Sequence, residues 1–157
     1  MTEKKSKVNF QLSDPIQFLA LGFGSGLAPK APGTFGTLAA IPIFLLLSPL
    51  SPLYYAIVVL LMTVIGVYLC QKTADAVGVH DHGAIVWDEI VGLLITLFMV
   101  PISWQSITVG FILFRIFDIA KPWPISFVDK NIHGGFGIML DDVLAGVLAL
   151  VCMHFIF

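Results

Sequence analysis

The chain has 157 residues, of which 58% are hydrophobic and only 11% charged, whereas about a quarter are charged in a soluble globular domain. That composition excludes an ordinary water-soluble fold and predicts a membrane protein, with room for one domain over residues 1–157. Eight basic residues against ten acidic ones also argue against a nucleic-acid partner, which calls for a basic face.

The N-terminus, Met1 to Asn9, is polar and carries Lys4, Lys5 and Lys7. The apolar stretch after it has no small-residue cleavage pattern, so residues 1–15 are read as a basic leader and not as a signal peptide. Ser13 or Asp14 ahead of Pro15 is a helix start, a capping oxygen followed by a proline whose missing N–H costs nothing at the first position. The apolar run Ile16 to Leu21 is closed by Gly22, Gly24 and Gly26. It is far shorter than the roughly 20 residues that span a bilayer, and is expected to lie in the interface or dip in partway.

Gly26 to Thr37 is dense in Gly and Pro, with Lys30 and two threonine hydroxyls, and its end opens the next helix. Backbone amides at that helix start, with Lys30, can receive a phosphate. The alternative is a membrane-surface turn, since the Walker spacing, Lys directly before Ser or Thr, is absent. Phe35 to Leu47 and Leu53 to Cys70 then form a helical hairpin around the turn Ser48 to Pro52, and Gln71 to Gly83 is a polar loop with Lys72, Asp75, His80, Asp81 and His82.

Ala84 to Val100 places the adjacent acids Asp88 and Glu89 inside an apolar run. One acid near the centre of a transmembrane helix costs about 2.5 to 3.5 kcal/mol, so a pair calls for a cation or a base. The pair is expected about one turn inside a helix that starts at the interface. Adjacent helix positions diverge by about 100°, which suggests a division of labour, with Asp88 the direct metal ligand and Glu89 reached from the flank. Trp104 to Phe117 returns across the membrane, Asp118 to Gly137 is a second polar loop, and Ile138 to Phe157 is a last apolar run with Asp141 and Asp142 near its start. The whole predicts an all-α, compact bundle of about four to five membrane segments plus an N-terminal interfacial helix.

If the segments alternate across the bilayer, every Lys, Arg, Asp and Glu falls on the side of the N-terminal lysines, which the positive-inside rule makes cytoplasmic. This topology gathers Asp75, Asp81, Asp88, Glu89, Asp118, Asp141 and Asp142 with Lys30, Arg115 and Lys121 on one face. Arg115, Asp118 and Lys121, three residues apart, line one side of a helix end. Carboxylates without a His or Cys ligand set favour a hard cation such as Mg²⁺, which is commonly shared with a substrate phosphate. Metal-assisted hydrolysis follows, with Arg115, Lys30 or Lys121 offsetting developing negative charge. The alternative is that each base simply pairs an acid, or that Lys121 meets lipid headgroups.

Other phosphatase chemistries fit poorly. Cys70 has Ala76 where a cysteine-nucleophile enzyme needs its Arg, and there is no Asp-x-Asp pattern. His80, His82 and His133 suit solvated turns, His154 lies at the opposite end, and Cys70 and Cys152 lie outside any metal or redox spacing. Trp87, Trp104 and Trp123 are expected at interfaces, where indoles anchor.

Four ordered motifs, Gly24 to Thr37, Val86 to Gly92, Phe114 to Ile125 and Gly134 to Gly146, closely resemble the phosphatidylglycerophosphatase A family from about Gly22 to the end of the chain. The resemblance implies an all-helical, Mg²⁺-dependent phosphatase of the bacterial inner membrane that converts phosphatidylglycerophosphate to phosphatidylglycerol. It singles out Lys30, Thr34, Thr37, Arg115 and Lys121 for substrate phosphate. It also singles out Asp88, Glu89, Asp118, Asp141 and Asp142 for metal and catalysis. Competing readings are a phosphatase of broader lipid range, taking phosphatidic or lysophosphatidic acid, a cation transporter, and a scaffold whose charges merely pair. A transport pathway would place polar groups deep in the bilayer, and here they stop near one face.

Overall fold

A computed structural model describes residues 9–80 and 82–157; Lys4, Lys5 and Lys7 of the leader, and the loop acid Asp81, lie outside them. The described chain is helical throughout: α1 (Pro15–Ala20), a single 3-10 turn at Ser25–Leu27, α2 (Pro32–Leu47), α3 (Pro52–Val77), α4 (Trp87–Thr96), α5 (Trp104–Ala120), α6 (Ile125–Asn131) and α7 (Gly134–Ile156).

The start signals act as local chemistry dictates. Asp14 accepts from the Ile16 amide at 2.9 Å ahead of Pro15, Ser51 caps α3 ahead of Pro52, and Ser103 with Ser106 forms a reciprocal cap on α5. Two predicted loops contain helix. Gln71 to Val77 has no Gly or Pro, so α3 runs on to Gly78, whose φ of 73° closes it, and Lys72 and Asp75 stand on its last turns. Within Asp118 to Gly137, the Pro122 carbonyl accepts from the Ile125 and Ser126 amides and starts α6.

The segment around Asp88 differs most from expectation. Only ten residues are helical, about 15 Å at 1.5 Å per residue, half a hydrocarbon core of about 30 Å. This α4 is enclosed by α2, α3, α5 and α7. Asp88 and Glu89 therefore occupy its first turn, not a position one turn inside. Trp87 is buried with them, its indole N–H donating to the Met62 carbonyl at 3.0 Å, so it is no interfacial anchor. Trp104 and Trp123 are exposed.

Two helices, α3 and α7, are long and apolar enough to cross a membrane, and α2 is apolar but shorter. The outward positions of α3, among them Leu60, Leu61 and Val64, are as apolar as its inward ones. A helix apolar on every side is solvated by lipid or protein, not by water. α1 exists as expected but packs on α3, and the Ala20 carbonyl accepts from the Val86 amide at 2.9 Å.

α4 and α7 cross where both have glycine. A Cβ on Gly146 would lie 2.6 Å from the Gly92 carbonyl oxygen, and one on Gly92 would strike the Phe114 ring. Thr96 reinforces the crossing, its hydroxyl 3.0 Å from the Gly92 carbonyl and 3.4 Å from that of Gly146. Close backbone approach through small residues is how helices associate where no hydrophobic effect drives them. Gly146→Val is accordingly expected to destabilise the protein by about 1 to 3 kcal/mol, read as a lower denaturation midpoint in detergent. An unchanged midpoint would contradict so tight a crossing.

Candidate active site

Asp88 lies one turn before Gly92 on α4, and Asp142 one turn before Gly146 on α7. The glycine crossing therefore brings two aspartates together on helices that run the same way. Glu89 joins them: one carboxylate oxygen from each of Asp88, Glu89 and Asp142 falls within 4.8 Å of the other two. Asp88 and Asp142 are buried, and Glu89 is nearly so. The longer Glu89 side chain overcomes the angular divergence of adjacent helix positions, so both members of the pair reach one point. Glu89 is also the flank, 3.6 Å from Arg115 Nη1.

The bases come from the end of α5. Arg115 Nη1 is bonded to Asp118 Oδ2. Lys121 lies 3.9 Å from Asp118 and 3.8 Å from Asp141. It reaches them because it caps α5 with φ 48°, a left-handed conformation that a non-glycine residue adopts at some cost, and Pro122 follows. Burial works against its ammonium group, but Asp118, Asp141, Asp142 and Asp129 more than offset this and raise its pKa above the ordinary lysine value. α2 closes the site from the side, where a Cβ on Gly33 would lie 2.8 Å from Glu89 Oε1 and 3.0 Å from Arg115 Nη1.

The remaining residues singled out by the sequence fall into separate places around this cluster. Asp118 and Asp141 stand beside the carboxylate trio, each held by a base. Thr34 adjoins Arg115. Thr37 is fully buried, its hydroxyl donating to the Gly33 carbonyl at 2.7 Å. Lys30 is exposed and forms no ion pair among the described residues. Asp75 is exposed and accepts from Gln71. His80 is more than a turn residue: its Nε2 accepts from the Gly134 amide at 2.7 Å and Gln71 Oε1 from the Gly135 amide at 2.8 Å, so together they cap α7 from outside. His82 accepts from the Ala84 amide within its own turn, and His154 sits at the far end beside the Phe98 carbonyl. Sequence reasoning passed over Gly33, Gly92 and Gly146 as site-forming residues. For Gly92 and Gly146 the signal was there, since on both helices a glycine follows an aspartate by four.

The donor set suits a hard divalent cation. It offers three carboxylates without His or Cys, and Asp142 Oδ2 is buried with no hydrogen-bond partner among the described residues. Charged carboxylates whose oxygens lie within 4.8 Å of one another repel by about 3 kcal/mol or more at an effective dielectric of about 20. The local bases are already engaged by Asp118, Asp141 and Glu89. A cation held by Asp88, Glu89 and Asp142 would remove that repulsion.

The chain has relatives among known proteins. The family model described as phosphatidylglycerophosphatase A matches residues 18–157. A phosphatidylglycerophosphatase A of Escherichia coli (strain K12) is 52% identical over 96% of this chain and 88% of its own length. One of Haemophilus influenzae is 50% identical over 96% of this chain and 94% of its own. No solved structure matches the chain.

The repulsion makes a prediction about stability. In chelator, Asp142→Asn is expected to raise the unfolding temperature, because it relieves the trio. With saturating Mg²⁺ the wild type should gain on the order of 2.7 kcal/mol at a hundred times Kd, and Asp142→Asn should gain little. Asp75→Asn, outside the cluster, should respond as wild type does. An Asp142→Asn protein that responds fully to Mg²⁺ would exclude this residue from the cation site.

Proposed function

The chain belongs to the phosphatidylglycerophosphatase A family, and we propose that it removes the terminal phosphate of phosphatidylglycerophosphate, with Mg²⁺ as cofactor, to give phosphatidylglycerol. The observation that carries this reading is the convergence of Asp88, Glu89 and Asp142 beside Arg115 and Lys121 at one end of an apolar bundle. Bound between the three carboxylates, Mg²⁺ would polarise a phosphoryl oxygen and lower the pKa of a bound water.

The protein's own groups supply the rest. Arg115 and Lys121 stand where the phosphoryl oxygens gain charge, and their pairing with Asp118 and Asp141 fixes them there in advance, which is what electrostatic preorganisation requires. Glu89, with Asp88 and Asp142 on one side and Arg115 on the other, takes the proton of the attacking water. The new oxygen–phosphorus bond forms as the bond from phosphorus to the terminal glycerol oxygen breaks, and that oxygen takes a proton from solvent to leave as the hydroxyl of phosphatidylglycerol. Asp118 and Asp141 act as positioning residues for the bases. Lys30, at the exposed turn before α2, meets incoming anionic headgroup. The charged end faces the cytoplasm, a placement supported by the positive-inside rule, in a bacterial inner membrane.

Phosphate release from phosphatidylglycerophosphate in mixed micelles is expected to stop on chelation and return with Mg²⁺. Asp88→Asn and Asp142→Asn should each lower kcat by about a hundredfold or more, whereas Asp75→Asn should stay within about twofold. Equal rates with and without Mg²⁺, or full activity in Asp88→Asn, would overturn the reading.

A further inference from the structure

Between the start of α2 and the second half of α5 lies an open groove of about 440 Å³. Its floor and walls are Phe111, Ile112, Ile116 and Ile119 of α5, with Thr34 and Arg115 supplying its polar groups. It follows α5 for about 14 Å, from Ala120 near the charged end to Phe111 deeper in the apolar zone. Ile112, Ile116 and Ile119 are each more than half exposed and recur at helical spacing, so they form one continuous apolar track. The groove shares Arg115 with the acidic site: the same guanidinium that lines it is 3.6 Å from Glu89, and its Nε–H, buried, has no acceptor among the described residues.

An apolar track ending at a cation and a hydroxyl beside a catalytic cluster matches an amphiphile: a hydrocarbon chain joined to an anionic head. We propose that this groove is the lateral port through which the lipid substrate reaches the site. An acyl chain lies along Ile112, Ile116 and Ile119, the phosphodiester nearest the glycerol backbone meets Thr34, and Arg115 stays with the terminal phosphate. The terminal phosphate then extends past Arg115 toward Asp88 and Asp142. The proposal rests on the reading of this site as a lipid phosphatase and assigns to it the residues that hold the diacyl part of the substrate. It makes Ile116 and Ile119 determinants of lipid recognition without giving them any part in the chemistry.

Two measurements test it. The first is kinetic. Ile116→Trp fills the track and is expected to raise KM for phosphatidylglycerophosphate in mixed micelles at least tenfold with kcat within about threefold, whereas Val64→Trp, on the outward face of α3, should leave both unchanged. An Ile116→Trp KM no higher than that of Val64→Trp overturns the port. The second needs no turnover. The fluorescence of the introduced tryptophan, taken as the difference from the parent protein with its own Trp87, Trp104 and Trp123, is quenched in phosphatidylcholine nanodiscs by small additions of a brominated diacyl lipid carrying a phosphomonoester head. Quenching at position 116 should be half complete at a several-fold lower mole fraction than at position 64, and brominated phosphatidylcholine should show no such preference. Equal quenching at both positions overturns the port whether or not the enzyme is active. Preferential quenching in a protein that releases no phosphate would keep the port and remove the phosphatase reading.

Discussion

The close crossing of α4 and α7 at Gly92 and Gly146 is the constraint on which the rest of the structure depends. With backbone against backbone, the residues one turn earlier have nowhere to go but toward each other, and on both helices that residue is an aspartate. A larger side chain at Gly146 would push the two helices apart and open the trio of carboxylates, and one at Gly92 would collide with the Phe114 ring of α5. Packing and chemistry are therefore one device: the contact that holds the bundle together is also the one that sets the spacing of the site.

That device has an electrostatic cost, and the fold offsets it in parts. The positive end of the α4 dipole faces Asp88 and Glu89 in its first turn, a term of about 0.3 to 1 kcal/mol per charge, more when partly buried. Arg115 and Lys121 engage Asp118, Asp141 and Glu89. Neither can serve Asp142 fully, because Asp142 is buried with Asp88 and Asp118 as its neighbours. Five carboxylates against two bases leave a surplus of negative charge at the point where a divalent cation would sit. A protein selected for stability alone would replace such a cluster with apolar residues. Its presence is intelligible as function held at the expense of stability.

Much of this was legible in the sequence, and what was not has physical reasons. Asp14 and Pro15 marked the start of α1, the turn Ser48 to Pro52 marked the approach to α3, and charge asymmetry placed the acids and bases at one end. Hydropathy misjudged α4. A short helix buried among four others and a membrane span are both apolar runs, and only length and neighbours separate them. Trp87 was misplaced for the same reason, since an indole suits an interface or a core with a carbonyl in reach. His80 could not be read as the cap of α7, because its partner amide at Gly134 is 54 residues away. The adjacency of Asp88 and Glu89 suggested directions about 100° apart. Helix geometry fixes where side chains start, but their length decides where they end.

The depth of the site follows from the helices that carry it. Asp118 lies about 21 Å from the far end of α5, and Asp142 about 21 Å from the far end of α7, at 1.5 Å per residue. Against a hydrocarbon core of about 30 Å, a placement of those far ends at one interface would leave both acids within roughly 10 Å of the other. A site at the bilayer centre would have to draw a phosphate through hydrocarbon, and a site in water would have to lift the lipid out. Such a depth would need neither, because the acyl chains would stay where they are and only the headgroup would dip. The brevity of α4 makes this possible. A helix of full membrane length would carry Asp88 out to the interface, whereas ten residues with a turn at Leu97 to Val100 hold it beside Asp142.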